Sequence, residues 1–307
     1  MIAREHVDGV LLLDKPSGLS SNAALQRARR LFNAAKAGHT GTLDPLASGL
    51  LPLCFGDATK FAQALLDARK EYVATVQFGT ATDTGDAEGE VVAHAPVAFA
   101  TADLDAVLQR FVGTTQQLPP RYAALKYQGR NYYEYARAGL DVPRLPRTIH
   151  IDTLELMEHA GDRAILRVAC SKGTYVRALV EDIARALGSA GHLAGLRRNA
   201  SGPFRIDQAR RLEEIESLDA STRRSLLLPV DVPIADLPSI ALSEEQSRAL
   251  IEGRPVRVSS ARAGRIRAYD SDGAFLGLAE LEADLLRAVR LVDTSRRRQR
   301  SPLAVES

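Results

Sequence analysis

The feature that most limits how this chain can fold is a direct switch from strand to helix periodicity within residues 164–187. Residues 164–170 alternate as a strand does, and after a Ser-Lys-Gly connection the apolar residues recur every three or four positions, which predicts a helix over 174–187. A further strand is predicted over 71–78, where apolar side chains occupy every other position. Because such strands and helices follow one another without regular βαβ alternation, the sequence predicts an α+β fold.

A change of pattern marks a domain boundary. Three prolines fall between residues 229 and 238, and downstream of them one helical stretch (243–251) precedes short strand-like runs bounded by glycines. We therefore predict a large domain over 1–235 and a small β-rich domain over 236–293. Residues 294–307 contain four arginines within SRRRQR and are predicted to form a disordered basic tail.

Composition excludes several classes of protein. The 307 residues are 45% hydrophobic and 25% charged, as in ordinary globular proteins. The formal charge is +2, so any nucleic-acid-binding surface must be local. Cys54 and Cys170 are the only cysteines, which argues against a disulfide framework and fits a reducing compartment. The apolar run 9–13 is too short for a signal sequence and no run approaches a membrane span, so we expect a soluble cytoplasmic protein.

Motifs for cofactors and metals are missing from the sequence. No P-loop is present, no G-x-G-x-x-G follows a predicted strand, and no histidine pair has the spacing of a zinc site. The acidic loop 82–89 lacks the ligand spacing of an EF-hand and is interpreted as a solvated turn. We therefore expect neither a cofactor nor a metal.

A glycine-rich loop over residues 38–52 carries an unusual aspartate. Pro45 keeps the backbone of Asp44 extended and outside a helix, and the glycines of the loop permit tight turns. From the pattern alone, Asp44 is either a carboxylate held on a stiffened loop or an ordinary Asx turn. The turn is the commoner of the two.

A cation occupies the first turn of the predicted helix 174–187. Arg177 there opposes the helix dipole, which costs ~0.3–1 kcal/mol. A local conflict of this kind is typical of functional positions, and a buried carboxylate would be its partner. The alternative is a surface arginine that pairs with Glu181 one turn later.

Residues 121–147 form a basic segment rich in tyrosine. It holds six Lys and Arg against two acids, and five of the eight tyrosines of the protein. Interleaved cations and aromatic rings suit a surface that contacts phosphates and stacks on bases, so RNA is a predicted partner. The alternative is a tyrosine-rich edge of the core with a solvated basic face. A predicted helix capped by Ser21 adds further cations, among them Arg27 and Arg30.

Segments in chain order resemble the bacterial TruB family of tRNA pseudouridine synthases. They include GHTGTLDPLASGLLPL (38–53), FGTATDTGDAEG (78–89), PPRYAALKYQGRNYYEYAR (119–137) and CSKGTYVRALVEDIA (170–184), and together they cover nearly all of the first two hundred residues. The C-terminal region resembles the PUA-like module of this family more loosely. The resemblance implies a pseudouridine synthase catalytic domain with a large mixed sheet, followed by a small β-rich PUA-like domain.

The resemblance also implies a reaction, the isomerisation of the T-loop uridine at position 55 of tRNA to pseudouridine. The base would flip out, its glycosidic bond would break, and the uracil would rejoin C1′ through C5. Asp44 would be the catalytic aspartate, and Arg177 the cation that favours its ionised form. Tyr72 would stack on the base and take the C5 proton, although its apolar strand face alone would also explain this residue. No cofactor or metal is implied.

Further residues are assigned by the same resemblance. His39 would fill the space that the flipped base leaves, while Tyr175 and the backbone around Leu196 would recognise the uracil edge. The expected partner is the T stem-loop, bound by a monomer without a guide RNA or a membrane. Candidate contacts to the RNA backbone are basic side chains, namely Arg27, Arg30, Arg121, Lys126, Arg130, Arg197 and Arg198.

Three other functions stay open on sequence grounds. Asp44 with Asp83 or Asp86 would supply the two carboxylates of a glycosidase. A chain that binds and refolds tRNA without catalysis is the second. A synthase that depends on a guide RNA would share the catalytic motifs, although the short C-terminal domain favours the stand-alone type.

Overall fold

The computed structural model describes residues 3–259 and 263–294. The predicted tail lies outside the described residues from position 295 onward. The first part of the chain forms β1 (Gly9–Lys15), α1 (Ser21–Leu31), β2 (Ala37–His39), β3 (Ser48–Phe55), α2 (Ala62–Asp67), β4 (Lys70–Phe78), β5 (Thr80–Thr82), β6 (Val91–His94), α3 (Thr101–Gln109) and β7 (Gly113–Gln117). The next part forms β8 (Lys126–Tyr127), β9 (Arg130–Asn131), α4 (Tyr132–Arg137), β10 (Arg147–Ala160), β11 (Arg163–Cys170), α5 (Val176–Ala186), β12 (Gly191–Ser201), β13 (Phe204–Arg205), β14 (Arg210–Arg211), α6 (Leu212–Ser217) and α7 (Ala220–Ser225). The C-terminal part forms β15 (Ser239–Ala241), α8 (Glu244–Ile251), β16 (Val256–Arg257), β17 (Gly264–Tyr269), β18 (Phe275–Glu282) and β19 (Leu285–Leu291). Short 3-10 helices cover Gly56–Lys60, Ile206–Gln208 and Val232–Ile234.

A mixed sheet of ten strands forms the large domain. Eight strands run in the order β14-β1-β3-β12-β4-β11-β10-β7, with β13 beside β12 and β2 beside β3. The pairs β1–β14 and β3–β12 are parallel, and β4 is antiparallel to both of its neighbours. Strand β12 follows β4 along its whole length but meets β3 through two residue pairs, Arg197 with Ser48 and Arg198 with Gly49. The sheet therefore consists of two halves that meet at this short seam.

Gly49 makes the close approach at the seam possible. Its φ is +103°, in the region that favours glycine, and a Cβ at this position would lie 2.4 Å from the carbonyl oxygen of Arg198. Since any side chain would push β3 away from β12, only glycine fits here.

One face of the sheet packs against helices and forms the main core. Strand β4 buries alternate residues as predicted, and α5 buries Val176, Leu179, Val180 and Ile183 against it. Each such side chain contributes roughly 1.5–3 kcal/mol when fully buried. The predicted helix over 174–187 is therefore confirmed, with slightly tighter bounds. Within the part of the chain that the structure describes, no helix is both long and apolar enough to cross a membrane.

The cap of α1 differs from the prediction. Ser20 is the N-cap, and its hydroxyl accepts a hydrogen bond from the Ala23 N–H at 3.1 Å. The buried hydroxyl of Ser21 instead donates to the Leu43 carbonyl at 2.9 Å and accepts from the Leu43 N–H at 2.7 Å. Ser21 therefore fastens a distant loop to the helix, and the prediction that it caps α1 is wrong.

A second sheet, in the order β15-β17-β18-β19-β16, encloses a separate C-terminal core. The predicted α+β fold with a small β-rich C-terminal domain is confirmed.

At the junction between the domains, Asp231 accepts hydrogen bonds from Arg267 Nη1 at 2.9 Å and from the Tyr269 hydroxyl. Burial raises the pKa of Tyr269 to about 12, which keeps that hydroxyl protonated. The rings of Phe61 and Phe275 lie 5.4 Å apart across the same junction.

Candidate active site

Asp44 lies on the loop between β2 and β3, and hydrogen bonds fix the backbone around it. Ser21 holds Leu43 as described, the Gly18 N–H donates to the Pro45 carbonyl at 2.8 Å, and the Ala47 N–H donates to the Asp44 carbonyl at 3.1 Å. The side chain of Asp44 nevertheless keeps 42% of its surface exposed. The loop therefore presents a rigidly held carboxylate to an incoming molecule.

Arg177 is the second residue of α5 and points from the helix to this carboxylate. Its Nη2 lies 2.9 Å from Asp44 Oδ2 and donates to the Tyr122 carbonyl at 2.8 Å, while Nη1 donates to the Thr84 carbonyl at 2.9 Å. The side chain is only 6% exposed, so the expected pairing with a carboxylate is confirmed and the alternative of a surface arginine is wrong. Because two carbonyls fix the guanidinium, its direction toward Asp44 is set before any substrate arrives.

A second carboxylate contacts the same guanidinium. Asp86 is buried, and its Oδ2 lies 3.6 Å from Arg177 Nε, while its Oδ1 accepts from the Thr84 hydroxyl at 2.7 Å and from the Glu88 N–H at 3.1 Å. A buried carboxylate requires such compensation. The interpretation of loop 82–89 as a solvated turn is therefore wrong at Asp86. The sequence carries no signal that separates Asp86 from the exposed acids beside it.

Tyr72 lies on the core face of β4, almost completely buried. Burial raises the pKa of its hydroxyl, and the nearby Arg198 opposes this shift more weakly. The hydroxyl is therefore protonated at neutral pH. The charge of Asp44 acts on the hydroxyls of both Tyr72 and Tyr175, so these rings share one neighbourhood with the carboxylate.

Two buried cations lie near the Asp44 loop. Arg198 donates to the carbonyls of Leu50 at 2.7 Å and Gly41 at 3.1 Å and is 1% exposed. The prediction of a phosphate contact at Arg198 is wrong because its guanidinium lies inside the protein. Lys15 is fully buried; burial lowers its pKa to about 8, and the Asp44 carboxylate opposes this shift. Arg198 and Lys15 therefore add to the positive surroundings of the site.

Of the residues expected to line a substrate pocket, Leu196 lines a cleft beside the Asp44 loop, whereas His39 and Tyr175 are not among the residues that line it. Burial lowers the pKa of His39, which favours its neutral form, and its buried Nδ1 has no hydrogen-bond partner among the described residues. Tyr175 is the N-cap residue of α5, and burial raises its pKa. Leu46 and Leu196 line a cleft of about 520 Å³ next to the Asp44 loop. The cleft also has polar walls that include Ser17, Ser48, Thr75, Glu88 and Arg197.

Most of the predicted RNA-contacting side chains lie at the surface, and several already have partners. Arg27 pairs with Glu216 at 2.7 Å, Arg121 with Asp141 at 3.1 Å, and Arg197 with Asp14 at 2.8 Å. Breaking such an exposed ion pair so that the arginine can bind a phosphate costs little, because each pair contributes only about 0–1 kcal/mol to stability. Arg30, Lys126 and Arg130 are exposed.

The tyrosine-rich segment forms the β8–β9 hairpin and α4. Arg130 lies over the Tyr135 ring at 4.9 Å, and Arg137 lies over the Tyr133 ring at 5.5 Å. Tyr132 is buried, whereas the other tyrosines of the segment are half-buried. The segment therefore offers partly accessible rings and cations together, as an RNA-binding surface requires.

Three neighbouring side chains are of the types that bind metal ions, but their carboxylates already have other partners. His6, Asp8 and Asp57 bring ligand atoms within 4.8 Å of one another. Asp57 pairs with Lys60 at 2.8 Å and accepts from the Asp293 N–H at 2.6 Å, while Asp8 accepts from the Asp57 N–H at 2.6 Å. These contacts already use the carboxylates, so the group ties the N-terminal segment to the C-terminal domain.

Comparisons with known proteins identify the family of this chain. Residues 29–176 match the TruB family pseudouridylate synthase (N terminal domain), residues 177–235 the tRNA pseudouridylate synthase B C-terminal domain, and residues 238–292 the C-terminal region of pseudouridine synthase II TruB. The tRNA pseudouridine synthase B of Thiobacillus denitrificans is 54% identical over 292 residues, covering 95% of this chain and 98% of that protein. That of Chromobacterium violaceum is 52% identical over 94% of this chain and 96% of its own length. A chain in the crystal structure of a Cbf5-Nop10-Gar1 complex aligns with a TM-score of 0.69 at 26% identity, covering 93% of this chain and 84% of that one. The chain therefore belongs to the TruB family of tRNA pseudouridine synthases, which are isomerases.

Proposed function

We propose that this chain isomerises the uridine at position 55 in the T loop of tRNA to pseudouridine, with Asp44 as the catalytic aspartate. The observation that carries the proposal is the pairing of the exposed Asp44 carboxylate with the buried guanidinium of Arg177 at 2.9 Å, beside an open cleft. A carboxylate in this position is paired with a fixed cation, yet it is open to a substrate. The family membership supplies the reaction class.

The chemistry needs no redox partner. The N1–C1′ bond of the flipped uridine breaks, a C5–C1′ bond forms, and the proton on C5 leaves while N1 gains one, so the product is an isomer of the substrate. Attack at C1′, attack on the uracil ring and abstraction of the 2′-proton each require an ionised Asp44. Arg177 stabilises that charge, Tyr72 stacks on the base near the reacting atoms, and the backbone at Leu196 recognises the uracil edge with Tyr175. Stacking on such a ring contributes ~1–3 kcal/mol per base.

Recognition rests on the shape of the T stem-loop and on its phosphates. In this proposal residues 1–235 are the catalytic domain and residues 236–293 a PUA-like domain that extends the RNA footprint. His39 fills the gap in the loop after the base flips, and the exposed basic side chains contact the backbone. Affinity then falls steeply with salt, because each phosphate contact releases counterions. We expect a monomer that works in the cytoplasm without a guide RNA.

The geometry argues against Asp86 as the second carboxylate of a glycosidase. Asp86 and Asp44 both contact the guanidinium of Arg177, and Asp86 is buried. A glycosidase needs two carboxyl groups that face each other across the scissile bond. Asp86 therefore fits a structural partner of Arg177 better than a second catalytic acid.

The decisive experiment uses an unmodified T-arm stem-loop whose target uridine carries tritium at C5. We expect release of tritium, pseudouridine in an RNA of unchanged length, and no free uracil. The Asp44→Asn variant should bind the RNA and release no tritium, whereas tRNA refolding alone would survive this change. Unchanged uridine after incubation with folded wild-type protein would overturn the proposal, and free uracil would support the glycosidase.

A further inference from the structure

Gln117, the last residue of β7, is buried next to the active site although it belongs to an edge strand. It is 3% exposed, its Oε1 accepts from the Tyr175 N–H at 2.8 Å, and its Nε2 donates to the Tyr175 carbonyl at 3.0 Å. The oxygen and the NH2 group of one carboxamide thus bond to the N–H and the carbonyl of one residue, in the way that the backbone of a neighbouring strand would. This arrangement fixes both the position and the orientation of Tyr175.

Tyr175 is the residue at which α5 begins. Its backbone is extended (φ −98°, ψ 108°), and no side chain caps the helix at this point. The start of a helix leaves backbone groups unpaired and free to fray unless something fixes them. Here Gln117 fixes the N-cap residue from outside the helix. Arg177, which pairs with Asp44, follows two residues later.

The chain downstream of Gln117 contacts the same helix start a second time. The buried residues Pro119 and Pro120 stiffen the connection, and the Tyr122 carbonyl then accepts from Arg177 Nη2 at 2.8 Å. Residues 117–122 therefore hold the beginning of α5 at its N-cap backbone and at its catalytic guanidinium. A shift at either point changes where Arg177 lies relative to Asp44.

From this geometry we infer that Gln117 is a positioning residue of the isomerase, which acts through Tyr175 and Arg177 and does not touch the reacting atoms. This inference rests on the proposed function. Misplacing a catalytic group by about 1 Å lowers a rate by about 100-fold. Loss of the Gln117 carboxamide should therefore lower kcat by about 10- to 100-fold, with a smaller change in KM for the stem-loop.

Gln117→Met tests the inference because it keeps the length and volume of the side chain and removes both hydrogen bonds. The matched control is Gln116→Met on the neighbouring, exposed residue, whose amide donates to the Thr148 hydroxyl at 2.9 Å. We expect the control to keep wild-type kcat. Gln117→Glu keeps the acceptor for the Tyr175 N–H, but its carboxyl donates to the Tyr175 carbonyl only while protonated and repels that oxygen when ionised, so its kcat should fall below that of wild type where the carboxyl is ionised.

Two further measurements separate positioning from a general loss of structure. Melting temperatures of the folded variants should fall too little to explain the loss of kcat. In single-turnover assays, the combined effect of Gln117→Met and Arg177→Lys should be smaller than the product of the single effects, since both act on one guanidinium. Wild-type kcat in Gln117→Met, or a multiplicative double variant, would overturn the inference. If Gln117→Met does not fold, Gln117→Glu decides by the same comparison. The wild-type assay tests the proposed function separately, because it does not depend on any variant of Gln117.

Discussion

Replacing Ser21 by alanine should damage the active site although Ser21 touches no substrate. The buried hydroxyl makes two hydrogen bonds to the backbone of Leu43, the residue before Asp44. Ser21→Ala leaves one N–H and one C=O without these partners in the protein interior, at about 1–3 kcal/mol each. Partial access of water reduces the sum, so we expect the free energy of unfolding to fall by about 2–4 kcal/mol. The loop then holds Asp44 less firmly, and kcat should fall at least tenfold, by analogy with the loss that a small misplacement causes.

The neighbouring serine provides the control. Ser20→Ala removes the N-cap of α1, which is exposed, and should cost about 1 kcal/mol of stability with no effect on kcat. Urea unfolding followed by circular dichroism gives the stabilities, and single-turnover release of tritium from the labelled stem-loop gives the rates. Equal kcat values for the two variants, whatever their stabilities, would refute the idea that Ser21 positions the Asp44 loop.

Three more predictions concern other buried groups. Arg177→Lys should lower kcat about 100-fold or more, since the single Nζ of lysine cannot reproduce the fixed fork in which two Nη atoms contact Asp44 and two carbonyls, whereas Arg185→Lys on the exposed side of α5 should keep wild-type kcat in the same single-turnover assay. Asp231→Asn weakens the domain junction and should raise KM more for whole tRNA than for the stem-loop in steady-state assays; equal increases would contradict this. Burial lowers the pKa of Lys70 from 10.5 to about 8, so above pH 8 the folded state binds fewer protons than the unfolded state. Wild-type stability should therefore gain about 1 kcal/mol per pH unit between pH 8 and 10 relative to Lys70→Met, as measured by urea unfolding at each pH.

The elements of the fold followed from local patterns because each pattern reflects burial of one face. The alternation of β4 and the helical spacing of α5 predicted both elements to within two residues at each end. Local patterns did not show which of two adjacent serines caps α1. Ser20 and Ser21 are chemically identical, and only the distant position of Leu43 gives them different tasks.

Site residues that lie in a family motif could be predicted from the sequence. Site residues that depend on contacts between distant parts of the chain could not. Pattern alone favoured a plain turn at Asp44, and the resemblance reversed that interpretation. Asp86 was considered only as one of two possible glycosidase carboxylates, and Gln117 was not noticed at all. In the sequence, a buried acid and a buried amide look like their exposed neighbours until the fold supplies the guanidinium and the backbone that they contact. The buried Arg198 was misassigned for the same reason, since its sequence neighbour Arg197 is exposed.

The seam between β3 and β12 also has a consequence for the point during synthesis at which the chain can become active. Strand β3, which follows the Asp44 loop, stands between β1 and β12, and β12 ends only at Ser201. The pairing of β3 with β12 spans about 150 residues of intervening chain and forms late in folding. Ordering such a long loop costs conformational entropy before the contacts between the two strands can offset it. A nascent chain that lacks residues 191–201 therefore carries the Asp44 carboxylate, but the start of β3 at Ser48 and Gly49 lacks its β12 partner. Chains that end before residue 201 should therefore be inactive, however close to that residue they end.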